Sequence, residues 1–168
     1  MSATRTVSGS CLLCRGRLGD PKLFRVQVWE DDLWRLSTTL LGEVAGLSYL
    51  EPKRHVRFIH ELDGVEAATI GMALARSTAA IKAVTGAEVV YVYIFGGSLD
   101  HLHVHLAPFH EGGPLDDHML KGETEERRLD SGVVVVTSNE FPLRPESEMR
   151  EVAERLAARL ATGAAPRR

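Results

Sequence analysis

Cysteine is scarce in this chain: two residues, both in the motif Cys11-Leu-Leu-Cys14. Two thiols cannot build a framework of several disulfides, and in a reducing compartment a CxxC pair reads as a metal or redox site. Long apolar runs are also missing. The strongest, Val89 to Phe95 and Val133 to Val136, fall far short of a membrane span. No apolar stretch near the N-terminus reads as a signal peptide, which leaves the cytoplasm as the expected compartment. There is no excess of positive charge either. A net charge of −3 gives no electrostatic footprint for a nucleic-acid polymer. Internal repeats and low-complexity blocks are absent too.

What remains is an ordinary globular composition, 44% hydrophobic and 26% charged over 168 residues. A chain of that size buries roughly 70% of its unfolded surface, enough for one domain with a real core. We expect that domain over residues 11–162, with flexible ends at 1–10 and 163–168. Short strands are expected at Val26 to Trp29 and Leu33 to Leu36, around the acidic turn Glu30-Asp31-Asp32. A third runs from Leu47 to Leu50 and stops at Pro52. Asp63 can cap a long helix whose inward stripe is Ile70, Leu74, Ser77, Ile81 and Val84, and which ends at Gly86. Glu88 to Phe95 is rich in β-branched and aromatic residues and reads as a strand. Gly96-Gly97-Ser98 breaks it. His101 to Leu106 restarts an extended chain that Pro108 ends. Residues 110–131, with the charge run Glu123 to Arg128, read as a long surface loop, and Gly132 to Thr137 as a last strand. Pro145 opens a final helix with Met149, Val152, Leu156 and Leu160 inward. Glu146–Arg150 and Glu151–Arg155 are set for ion pairs one turn apart. The expected fold class is α+β: an antiparallel sheet with one long packed helix and a C-terminal helix.

The chemistry concentrates in His101-Leu-His103-Val-His105. Alternate residues of a strand share a face, so the three imidazoles point one way and the aliphatics the other. At about 3.3 Å per residue, neighbouring histidines stand about 6.6 Å apart and the outer pair about 13 Å. Zinc holds nitrogens within about 2.1 Å, so the outer two cannot share one ion and the strand must divide its labour. A solvated polar face would carry scattered histidines. Here three of the seven in the chain fall in five residues, which points to a site. Cys11 and Cys14 offer two soft ligands. The other half of a zinc site would come from His55 and one member of the histidine strand, with His60, His110 and His118 less tightly framed. Gly-Gly-Ser suits either a plain turn or backbone N–H groups approaching an anion. Trp29 and Trp34 flank the acidic turn, where they could cover a flat ligand or simply join the core.

His101-Leu-His103-Val-His105-Leu106-Ala107 resembles the signature of the histidine triad (HIT) superfamily. Pro52-Lys53-Arg54-His55 resembles that family's strand-ending Pro-Lys-x-His, and Cys11-Leu-Leu-Cys14 the CxxC of its zinc-binding branch. The resemblance covers roughly residues 11–110. It implies a structural zinc ion on Cys11, Cys14, His55 and His101, and makes His103 the nucleophile. His105 would bond phosphate oxygens or help protonate the leaving group. Ser98, Gly96 and Gly97 would lie against the phosphate. The implied activity is hydrolysis or transfer at the α-phosphate of a nucleotide-type substrate, such as a nucleoside phosphoramidate or dinucleoside polyphosphate, through a covalent His103 intermediate, in a homodimer that continues the sheet across its interface. Two alternatives stand beside it: a biosynthetic enzyme that reuses the fold on a non-nucleotide substrate, and a non-catalytic zinc-stabilised binding protein. The chain departs from the family in two places. Gly46-Leu47 replaces a common Gly-His, and Ser37-Thr38-Thr39 lacks the aspartate that binds ribose hydroxyls. Asp100, beside the triad, suits either a partner to a metal ligand or a solvated turn.

Overall fold

The computed structural model describes residues 11–95, 99–115 and 120–163. After two short 3-10 turns, Leu13–Leu18 and Asp20–Leu23, come β1 (Arg25–Glu30), β2 (Trp34–Thr39) and β3 (Ser48–Pro52). The long helix α1 (Gly64–Thr85) leads to β4 (Val89–Tyr93) and β5 (Val104–Phe109). A hairpin of β6 (Thr124–Arg128) and β7 (Val134–Ser138) precedes the C-terminal helix α2 (Glu146–Ala161). The first five strands form one sheet in the order β1-β2-β3-β5-β4, and every pairing in it is antiparallel. The architecture is the expected α+β. Among the described residues no helix is long and apolar enough to cross a membrane.

Strand alternation divides the sheet into two unlike faces. Val28, Trp34, Leu36, Leu50, Val104 and Leu106 point to one side. There they pack on Ala73, Ala80, Ile81 and Val84 of α1 and on Val152, Ala153, Leu156 and Leu160 of α2. Ser77 is buried on the α1 stripe, and Ile70 and Leu74 pack at its margin. Gly86 closes α1 in the left-handed conformation, φ 72°, with its N–H on the Lys82 carbonyl. Both tryptophans belong to this side. Trp34 is fully buried with its indole N–H on Thr69 Oγ1 at 3.0 Å, and Trp29 lies under the Arg76 guanidinium. A core position, not ligand cover, is their role.

Several local expectations are corrected. The Glu123 to Arg128 run is not loop: Thr124–Arg128 is a strand paired with Val134–Ser138. Its side chains are all exposed, so no apolar alternation marked it. The last strand starts at Val134, two residues later than Gly132. Pro108 does not end the histidine strand. It pairs with Val90 inside β5, and because β3 pairs only with Val104–Leu106, its missing N–H leaves no bond unmade on that side. Pro52 is likewise the last residue of β3 and not a stop before it. Asp63 occupies the N-cap position of α1 but makes no capping bond; its carboxylate faces Arg54 instead. Glu146 does pair with Arg150, whereas Arg155 turns inward to donate to the Val84 carbonyl.

Leu156 is fully buried between α2 and the sheet. Leu156→Ala removes that packing and leaves a cavity, so denaturant unfolding should show a loss of about 2–5 kcal/mol.

Candidate functional site

The other face of the sheet is polar and carries the chemistry. Register aligns Gln27, Ser37, Tyr49, His105 and Tyr93 in one cross-strand row, with Arg25 opposite Thr39 and Arg35 opposite Glu51. At one end the first 3-10 turn brings Cys11 and Cys14 onto the chain that follows β3 and the chain that enters β5. Buried Leu13 anchors that turn, and the Leu102 N–H bonds the Val56 carbonyl at 2.7 Å, tying the two segments together.

Cys11, Cys14, His55 and His101 meet there, with one ligand atom of each lying within 4.8 Å of all the others. Cys14 Sγ is 3.2 Å from His55 Nδ1, and Cys11 Sγ and Cys14 Sγ are each 3.5 Å from His101 Nδ1. A tetrahedral zinc would separate sulfur from nitrogen by roughly 3.6 Å, so the donor set fits. The tautomer fits as well. His101 Nε2 stands 2.8 Å from the Pro52 carbonyl, which can only accept. The proton is therefore on Nε2, and the Nδ1 lone pair faces the thiols. Burial pushes His101 down to about 4, which keeps it neutral, as a metal ligand must be. Burial and the neighbouring Cys11 push the Cys14 thiol up to about 12; a divalent cation between the sulfurs would reverse that. Among the described residues this is the one group of such donors. His60 stacks on Phe58 at the surface, His110 is not among the donors, and His118 lies outside the described residues. Asp100 is no partner of the cluster, since its exposed carboxylate pairs with Arg57.

His103 and His105 face a cavity of about 580 Å³ instead. β5 begins only at Val104, so His101 lies in a bend and His103 in the irregular chain that leads into the strand. The His103 Nδ1–H donates to the His101 carbonyl at 2.7 Å. Its Nε2 is left as the basic nitrogen. Burial lowers the pKa of His103, and the bond to the carbonyl opposes that in part. His105 is packed among rings: Tyr93 stacks on it at 5.1 Å, while Tyr49 and Phe95 meet it edge-on at 5.1 and 5.4 Å. Burial, with His103 and Arg25 nearby, pushes it down to about 3. Two neutral imidazoles thus stand side by side, their centroids 5.2 Å apart. Apolar walls come from Leu23, Val44, Leu47 and the hairpin residues Val134 to Val136. Gly96, Gly97 and Ser98 lie outside the described residues.

Between metal cluster and cavity runs a feature that the motifs did not announce. Arg35 donates to both oxygens of Asp20, at 2.9 and 3.0 Å, and to Glu51; Arg25 stands 3.7 Å from the other Glu51 oxygen. All four residues are buried. Burial pushes the Asp20 and Glu51 carboxyls up, and the two guanidiniums pull them back. The alternation that located the histidines also puts Arg35, Ser37, Tyr49 and Glu51 on their face, which was the available signal.

No family model and no curated protein sequence matches the chain. Solved structures do. A zinc-bound histidine triad family protein from Mycobacterium smegmatis superposes with a TM-score of 0.61 at 17% identity, covering 94% of this chain and 99% of that one. A hypothetical histidine triad nucleotide-binding protein from Sulfolobus tokodaii gives 0.63 at 16%, over 90% and 93%. A histidine triad protein from Sinorhizobium meliloti gives 0.61 at 20%, over 82% and 90%. At such identities the likeness is one of fold, and it agrees with the resemblance carried by the motifs.

The four-residue cluster should retain one zinc ion per chain on native mass spectrometry. Cys14→Ser should lose it and melt several degrees lower, while a chelator should bring the unaltered protein to the same melting temperature.

Proposed function

From a histidine triad fold with a cysteine–histidine cluster behind a histidine-lined cavity, we propose a zinc-stabilised enzyme. It cleaves or transfers at a nucleotide-type α-phosphate through a covalent intermediate on His103. The observation that carries this reading is the bond from His103 Nδ1–H to the His101 carbonyl. It leaves Nε2 as a neutral nucleophile beside the cavity, the form needed to attack phosphorus.

In the first step the His103 Nε2 lone pair forms a bond to phosphorus and the leaving group departs with the electrons of its own bond. His105, whose ring lies 5.2 Å from that of His103, bonds a phosphate oxygen or helps deliver the proton that the leaving group takes up as it departs. Ser98, Gly96 and Gly97 are assigned to the phosphate by the resemblance. Water, or a second phosphate-bearing acceptor, then takes phosphorus from His103; the first makes the protein a hydrolase and the second a transferase. Cys11, Cys14, His55 and His101 would hold the zinc. Held by four protein ligands, such an ion would supply a cross-link and not a Lewis acid. Free thiols suit a reducing, cytoplasmic setting.

A homodimer belongs to the same reading. β4 is an edge strand, and Val89 and Val92, with Ile94 and Phe95 beyond its end, are exposed. Pairing β4 with its copy would cover them and continue the sheet. Val92→Glu should then turn a dimer into a monomer in sedimentation velocity; a wild-type protein that sediments as a monomer removes this part of the proposal.

The catalytic proposal is tested by incubating the protein with an adenosine 5′-phosphoramidate or a dinucleoside polyphosphate and reading the intact mass. A nucleotidyl adduct should form and be absent from His103→Ala, and turnover should fall by at least about a thousandfold in that variant. No adduct and no turnover, with zinc still bound, would sink the nucleotide assignment.

A further inference from the structure

The cavity face holds more buried, unsatisfied polarity than the proposed chemistry uses. Among the described residues seven buried side-chain nitrogen or oxygen atoms lack a hydrogen-bond partner. Three of them lie together on this face: Arg25 Nη1, Ser37 Oγ and Glu51 Oε2. Buried polar atoms in native proteins are nearly always bonded, so such a concentration asks for a partner.

Arg25 is the member with the most to offer. Its residue is only 8% exposed, yet it lines the cavity together with Tyr49, His103 and His105. A guanidinium carries five N–H donors. Of the two carboxylates near it, Asp20 and Glu51 are both already bonded by Arg35, and Arg25 stands 3.7 Å from Glu51 with no hydrogen bond between them. The guanidinium lies over the Tyr49 ring at 3.6 Å to its centroid, and that ring contacts His105 at 5.1 Å and His103 at 6.5 Å. The cation is therefore one ring removed from the reacting histidines. Nearby Thr39 is not a competitor for the role, because its hydroxyl already donates to the Leu41 carbonyl. Glu43, the buried acid of the cavity, is occupied by the Ser138 N–H at 2.6 Å.

We propose that Arg25 determines specificity by binding a second anionic group, a carboxylate or a phosphate, on a substrate whose first phosphate sits at His103. The favoured substrates would carry two anions set apart by about the width of an aromatic ring. A planar fork of donors suits both oxyanions, and burial makes each charge-assisted bond stronger than it would be at the surface. This rests on the reading that the cavity takes a phosphorylated substrate, and it narrows the substrate class within that reading.

Calorimetry with two matched pairs of probes tests it: glycerol 3-phosphate against 3-phosphoglycerate, and adenosine 5′-monophosphate against adenosine 3′,5′-bisphosphate. The expected result is that the wild type binds the doubly anionic member of at least one pair about tenfold or more tightly. The pair that discriminates names the anion as carboxylate or phosphate. Arg25→Gln should erase the preference and leave the singly anionic probe within about twofold. Arg25→Lys keeps a cation beside Glu51 but loses the fork, and should retain only part of the preference; it decides the matter if Arg25→Gln does not fold. No preference in either pair, or equal weakening of both members by the substitutions, would overturn the proposal. Because these probes are read by binding and not by turnover, a missing His103 adduct and a missing preference are separate failures.

Discussion

Two carbonyl hydrogen bonds in series set the geometry on which the rest of the site depends. The Pro52 carbonyl holds His101 Nε2–H, and the His101 carbonyl holds His103 Nδ1–H. Each carbonyl can only accept, so each fixes a tautomer and aims the other ring nitrogen. For His101 that nitrogen joins the cysteines; for His103 it is the basic nitrogen proposed for catalysis. The position of one imidazole is thus passed to the next along three residues of backbone. A metal cross-link at His101 would stiffen the segment that carries His103 without touching a substrate.

The sheet makes this possible by keeping its two faces apart. One face spends its apolar side chains on α1 and α2 and gives the domain its hydrophobic stabilisation. The opposite face buries Asp20, Arg25, Arg35 and Glu51. A buried ion cluster of this kind contributes little net stability, because desolvation offsets most of the attraction. Its physical consequence is positional: Arg35 is held between two carboxylates, while Arg25 is left beside the cavity with donors to spare. Burial on this face, with the Arg25 cation nearby, favours the neutral form of His103 and His105. Neutral imidazoles can accept a covalent bond to phosphorus; imidazolium cannot.

Some features were legible in the chain and some were not, for identifiable reasons. The helix stripe Ile70, Leu74, Ser77, Ile81, Val84 and the stop at Gly86 follow from a 3.6-residue period and a left-handed cap, both local. The hairpin of β6 and β7 was missed because Thr124–Arg128 is solvated on both sides, so its pairing leaves no pattern of polarity. Pro108 misled because proline normally ends a strand; here the neighbouring strand had already stopped. Asp63 had the right residue type for a cap, but Arg54 competes for its carboxylate.

By itself the sequence determined that the fold is α+β, that three histidines alternate with aliphatics on one segment, and that two thiols lie three residues apart. Each is a matter of local spacing, and spacing is written in the chain. Its arithmetic even required His101 and His105 to serve different places. Only the tertiary structure decided which places. Residues up to 90 positions apart, Cys11 and His101, approach to 3.5 Å because the N-terminal turn packs against the chains bordering β3 and β5. Arg25, two strands away from Tyr49, reaches its ring across the sheet. Such approaches depend on strand order and register, which are set by how the whole core packs and not by any single segment.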